Sequence, residues 1–124
     1  VHTAMQASTP VLLFVGQVGL EHQGREAFQE LDYRQVFGPI AKYATEITDV
    51  SRIPEIICRA WSMAISGRPG PVVVALPEDV LTQSAEIAIP TVPILAPKSA
   101  VVAADLEQLA NSLSKLHTCI SFLF

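Results

Sequence analysis

The sequence predicts an α/β fold built around a mainly parallel sheet, and three observations predict it. Val72 to Leu76 is an unbroken aliphatic run, and Val11 to Val15 is a second apolar run closed by Gly16. Such runs suit strands covered on both faces, as in a parallel sheet. Between them, Ile53, Ile56, Ile57, Ala60, Trp61, Ala64 and Ile65 keep helical spacing for three turns. Strand, loop, helix and strand in that order are the sequence form of a right-handed crossover.

The remaining elements follow from local chemistry. Val1 to Ser8 reads as the tail of a helix, broken at Thr9-Pro10. Gln17 to Gln23 reads as a loop. Gly24 to Glu30 is short and helix-capable, with Phe28 and Leu31 giving one apolar edge. Asp32 is placed to cap a short helix through Val36, ended by Gly38-Pro39. Lys42 to Ile47 alternates in polarity and reads as a short strand. Ser51 is the expected N-cap of the long helix, Pro54 sits in its first turn, and Gly67 closes it. Pro69-Gly70-Pro71 forces a turn, and Pro77 ends the second run because it has no N–H to give. Leu81 to Pro97, with Pro90, Pro93 and Pro97, reads as an extended linker. Lys98 to Lys115 reads as a further helix with Leu106, Leu109, Ala110 and Leu113 on one face. Ile120 to Phe124 is a strand-like apolar run.

Composition bounds the partners. Charged residues make up 16% of the 124 and hydrophobic residues 50%, against roughly 25% charged in a typical globular domain. So little charge implies contact with a partner subunit or with further polypeptide; an apolar but monomeric domain is the alternative. A net charge of −4 with no basic cluster argues against nucleic acid. No apolar run reaches the roughly 18 residues of a membrane helix, and a cytoplasmic, reducing setting is expected. Cys58 and Cys119 form neither a metal spacing nor a disulfide framework, and Cys58 reads as a reduced core thiol.

The residues themselves declare no active site. His2, His22 and His117 fall on three elements without ligand spacing, so no metal site is expected. Gly16 and Gly19 make only a lone G-x-x-G, which argues against a small nucleotide-binding protein. Glu26 and Glu30, four apart, would share a helix face as a carboxylate pair, for which a solvated surface is the simpler reading.

The ordered motifs carry more than their chemistry. The string GRPGPVVVALPEDV from Gly67 to Val80 resembles the end of the pyrimidine-binding (PYR) domain of thiamine-diphosphate-dependent enzymes. It is most similar to the acetohydroxyacid synthase, carboligase and 2-oxoacid decarboxylase branch. His2 to Val18 resembles that branch's helix and the strand ending in Gly-Gln. Ala27-Phe28-Gln29-Glu30 resembles its AFQE element, Pro39 to Lys42 its Pro-(Ile/Val)-(Thr/Ala)-Lys segment, and Arg59 to Ala64 its next helix. The resemblance covers roughly Val1 to Lys115. It implies a partial three-layer sandwich, truncated. Residues 1–80 would be the C-terminal part of a PYR domain, 81–97 a linker, and 98–124 the first helix and start of a central domain.

The resemblance also implies an activity, cofactors and partners. The whole enzyme would make or break a C–C bond beside a carbonyl, using thiamine diphosphate and Mg²⁺. A second subunit would complete a homodimer or tetramer. Phe28 and Gln29 would lie near the cofactor and Lys42 near a substrate channel. The family's activating glutamate lies upstream of the Val11 strand, and its diphosphate and Mg²⁺ are held by a Gly-Asp-Gly…Asn motif. Neither is found in these residues, so no catalytic residue is assigned and the chain alone is expected to be inactive. The sequence after Lys115 departs from the family pattern, which suggests a truncated or out-of-frame ending. The alternative is a non-catalytic α/β assembly module that oligomerises through its apolar surface.

Overall fold

In a computed structural model, residues 1–88, 95 and 100–115 are described. Three strands form one parallel sheet: β1 (Val11–Gln17), β2 (Tyr43–Glu46) and β3 (Pro71–Pro77), in the order β1-β3-β2. The last strand in sequence therefore lies between the other two. Val11 to Gln17 pairs in register with Pro71 to Pro77, and Tyr43 to Glu46 with Val72 to Ala75. Val72, Val73, Val74 and Ala75 are completely buried. Successive strand residues face opposite sides of a sheet, so β3 is covered on both faces, as its unbroken run requires.

Helix α3 (Ile53–Ile65) joins β2 to β3 and packs on the face that carries Val72 and Val74. Its buried residues are Ala60 and Ala64, one turn apart and in the same core cluster as Val72 and Val74. Small residues there let the helix approach the strand. Ile47, Val80 and the half-buried Leu12, Ile53, Ile56 and Ile57 complete this core. Gly67 takes φ +54° just after the helix, a conformation glycine adopts without steric penalty. In the turn that follows, Arg68 donates to the Met5 and Gln6 carbonyls at 3.1 and 3.0 Å and to Ser8 Oγ at 2.9 Å. Its cation thus caps the C-terminal end of α1 (His2–Gln6).

Several expectations need correction. The first strand is not enclosed like the second: β1 is an edge strand among the described residues, with Val11 39% and Phe14 48% exposed. Ser51 is not the cap of α3. A short 3₁₀ turn, Val50–Arg52, precedes the helix, and the Asp49 carboxylate caps that turn by accepting from Ser51 N–H at 2.8 Å and Ser51 Oγ at 2.6 Å. Ser51 is a donor here because Asp49, two residues earlier and the N-cap of the turn, is the stronger acceptor. A 3₁₀ turn, Leu20–His22, interrupts the expected 17–23 loop. Gly24 to Glu30 forms turns with no helix, so Glu26 and Glu30 share no helix face. Pro77 ends the strand but not regular structure, because α4 (Glu78–Thr82) begins at once with two acidic residues in its first turn.

Other readings hold. α2 (Tyr33–Phe37) is capped by Asp32, whose carboxylate accepts from Gln35 N–H at 3.0 Å, and the 42–47 strand forms as β2. α5 (Ala103–Ser114) is shorter than the expected 98–115 helix and exposes Leu106, Leu109 and Leu113. Residues 89–94, 96–99 and the apolar run at 120–124 lie outside the described residues. Cys58 is a free, half-buried thiol.

The contrast between β3 and β1 predicts a stability difference. Val74→Ala removes two methyl groups from a fully buried site and should lower unfolding stability by about 2 kcal/mol, whereas Val11→Ala should cost less than about 1 kcal/mol. Urea unfolding of the two variants checks this; equal costs would contradict the assigned burial.

Candidate functional site

All three strands run the same way, so their C-terminal ends share one edge of the sheet. In open parallel α/β sheets ligands bind outside that edge. Here it carries a cavity of about 650 Å³ lined by Gly16, Gln17, Val18, Phe28, Gln29, Tyr33 and Glu78. Gly16 and Gln17 are the last residues of β1, and Glu78 directly follows β3. Phe28, Gln29 and Tyr33 come from the segment after β1.

Side chains at the strand end hold that segment in place. Gln17 is 8% exposed. Its Nε2 donates to the Leu31 carbonyl at 2.7 Å, and its Oε1 accepts from Val18 N–H at 3.0 Å. Both functions of a buried amide are therefore satisfied, which a buried polar group requires. Tyr33 Oη donates to the Gly16 carbonyl at 2.8 Å and stacks on Phe37 with 6.1 Å between ring centroids. Gln23 Nε2 donates to a carboxylate oxygen of Glu46, the last residue of β2. On the α4 side, Asp79 Oδ2 accepts from Leu20 N–H at 3.1 Å. The cavity wall is thus tied to all three strand ends.

The segment between Gly24 and Glu30 is closed by its own carboxylate. Glu30 accepts from Gly24 N–H and, at 3.0 Å, from Ala27 N–H. Those backbone donors, Gly24 foremost, hold the Glu30 carboxyl below its ordinary range. Gln29 takes φ +67° and Glu26 φ +56°, both in the left-handed region, where a Cβ crowds the backbone carbonyl and only glycine sits freely. Phe28 is 89% exposed, so its ring is presented outward at the mouth of the cavity.

The structure brings Phe28 and Gln29 together in this cavity, and it places Lys42 elsewhere. Lys42 precedes β2; its backbone N–H donates to the Pro71 carbonyl at 2.8 Å and its Nζ to the Ser66 carbonyl. That is the opposite edge of the sheet, about 20 Å away along seven-residue strands. Sequence reasoning missed Gln17, Tyr33 and Glu78 as cavity residues. The signal that could have found Gln17 and Glu78 is their position at the C-terminal end of the two apolar runs; Tyr33 has no such local signal. Among the described residues no group of three His, Cys, Asp or Glu side chains is placed to hold a metal ion, and no helix is long and apolar enough to cross a membrane.

Fold and cavity together define a stretch of an open, parallel α/β domain with its cleft at the carboxyl ends of the strands. No family model matches the chain. It is 47% identical over 75 residues to the acetolactate synthase large subunit of Lactococcus lactis subsp. lactis, covering 60% of this chain and 13% of that protein. It is 36% identical over 118 residues to the mitochondrial acetolactate synthase catalytic subunit of Aspergillus candidus, covering 91% and 17%. The fold matches benzoylformate decarboxylase from Polynucleobacter necessarius with a TM-score of 0.78 at 20% identity, over 91% of this chain and 21% of that one. The chain belongs to the thiamine-diphosphate-dependent superfamily, in the branch of the acetohydroxyacid synthases, carboligases and 2-oxoacid decarboxylases. It spans between 13% and 21% of the length of these relatives.

The left-handed backbone at Gln29 yields a prediction. Gln29→Gly should leave stability unchanged or raise it, whereas Gln29→Val should lower it by about 1–2 kcal/mol, because a β-branched residue fits that region worst. Thermal unfolding of both variants checks this, and an unharmed Val variant would mean that the turn is not left-handed there.

Proposed function

We propose that this chain forms one wall of the cofactor cleft of a thiamine-diphosphate-dependent enzyme of the acetolactate-synthase type. The observation that carries the reading is the meeting of Phe28 and Gln29 with Gln17, Tyr33 and Glu78 at the C-terminal edge of the sheet, in a chain of that superfamily. The lining suits part of such a cofactor. Phe28 offers an aromatic face to a flat heterocycle, and the Gln29 side chain brings both an amide donor and an acceptor. Glu78 adds an anionic acceptor. Among the described residues no cation lines the cavity, so in this reading the diphosphate and its Mg²⁺ would be held by other parts of the enzyme.

Bound thiamine diphosphate supplies an electron sink for making or breaking a C–C bond next to a carbonyl. The residues here would orient the ring and limit its contact with water. Gln17 and Tyr33 would act through the backbone they hold. Lys42, with its ammonium on the Ser66 carbonyl at the other edge, would reach a substrate channel only where a second subunit completes it. That subunit, in a homodimer or tetramer, and the rest of the enzyme would cover the exposed Val11, Phe14, Leu106 and Leu109. The setting in this reading is cytoplasmic and reducing, consistent with the free Cys58.

Alone, the chain should not turn over substrate, because it supplies a wall and not the activating group. Incubated with pyruvate, thiamine diphosphate and Mg²⁺, it should release no acetolactate, acetaldehyde or CO₂ above the protein-free control. Cofactor-dependent turnover would overturn this.

A second reading, a non-catalytic assembly module, is favoured by the same exposed apolar residues on β1 and α5. A chain that stays monomeric at high concentration in sedimentation would remove it.

A further inference from the structure

We propose that Glu30 is the positioning residue for Phe28 and Gln29, its ionised carboxylate setting the turn that presents both to the cavity. The inference rests on the reading that these two residues face the cofactor, and it adds what holds them there. Each Glu30 oxygen has its own partner: one accepts from Gly24 N–H and the other from Ala27 N–H at 3.0 Å. The Glu30 N–H donates back to the Ala27 carbonyl at 3.0 Å. The Glu30 side chain therefore closes the segment at its start and middle, and the Glu30 backbone adds a third bond at its end.

That closure explains an otherwise unfavourable backbone. Gly24, Glu26 and Gln29 all have positive φ, at +75°, +56° and +67°. Glycine adopts this freely; glutamate and glutamine do not. Hydrogen bonds from backbone N–H groups to an ionised carboxylate are among the stronger ones available, and here they are made only if the segment turns this way. The flanks are tied separately, by Gln17 to the Leu31 carbonyl and by Gln23 to Glu46. Loss of the Glu30 charge would leave those ties in place and free only the stretch between them, which carries Phe28 and Gln29.

Glu26, Asp32, Arg34 and Glu46 line the two hollows that Glu30 shares, and Arg25 lies within the turn. Asp32 is engaged in capping α2 and Glu46 in holding Gln23. The backbone donors hold the Glu30 carboxyl below its ordinary range. The closed turn is therefore fully favoured above the ordinary carboxylate range and is lost as pH falls through the lowered value.

NMR on the whole chain tests this. The three-bond H–N–Cα–H coupling and the intraresidue contact between N–H and Hα report the left-handed backbone of Gln29, and the Val72 to Val74 amides report the core. In the unaltered chain the Gly24 and Ala27 amides and the Gln29 coupling should titrate together, with a midpoint below that of an ordinary glutamate. Glu30→Ala should abolish the left-handed signature of Gln29 at neutral pH while the Val72 to Val74 amides stay in place, and Glu30→Asp should restore it in part. A Gln29 signature that survives Glu30→Ala, or a coupling that does not follow the Gly24 and Ala27 titration, would overturn the proposal. Should Glu30→Ala fail to fold, the titration of the unaltered chain decides alone. A purely structural role would alter stability without moving the Gln29 coupling in step with one proton. No readout involves the cofactor, so failure here leaves the cleft reading standing, and failure of that reading leaves this result standing.

Discussion

Enclosure of β3 is the constraint on which the rest of the structure depends. A strand from Val72 to Ala75 with no exposed surface must have a hydrogen-bonded neighbour on each side and cover on each face. β1 and β2 meet the first requirement, and α3, with Ala60 and Ala64 against the strand, meets the second on one face. Because both neighbours are parallel to β3, all three strands end at one edge. The site follows from that alignment: what continues the chain beyond Gln17 and Pro77 meets there, and so Gln17, Glu78 and the segment carrying Phe28 and Gln29 converge.

The same geometry sets the three residues singled out by the family resemblance at opposite ends of the strands. Phe28 and Gln29 sit at the C-terminal edge of the sheet, and Lys42 sits at the N-terminal edge, where its backbone pairs with Pro71. The two halves of the chain's surface also differ in character. Apart from the outward Phe28 ring, the cavity edge is polar and internally bonded, by Gln17, Gln23, Glu30, Tyr33 and Asp79. Val11 and Phe14 on β1 and the leucines of α5 are apolar and exposed. The first is what a chain needs to place side chains against a ligand; the second is what a chain shows where more protein packs.

Much of the fold was legible in the sequence because it depends on short-range signals. The Val72–Leu76 run, the spacing from Ile53 to Ile65, Asp32 as a cap and Gly67 as a helix stop each act within a few residues. The misreadings have local physical causes as well. Arg25 to Glu30 has the composition of a helix, but the Glu30 carboxylate captures the Gly24 and Ala27 N–H groups and bends the segment into turns. Asp49 outcompetes Ser51 because an ionised carboxylate is the better acceptor. The site was less legible. Phe28 and Gln29 were picked out by resemblance, whereas Gln17 and Tyr33 belong to it through bonds to Leu31 and Gly16. Such pairings cross 14 and 17 residues of sequence and leave no periodic trace.

The central claim is that this chain is one wall of a larger thiamine-diphosphate cleft. The most direct measurement is the DNA sequence on both sides of its coding stretch. The account predicts an upstream in-frame segment with a glutamate on a helix, and a downstream Gly-Asp-Gly…Asn motif that holds diphosphate and Mg²⁺. Stop codons closing both sides would contradict it, and the chain would then be an assembly module with an α/β fold of the same descent.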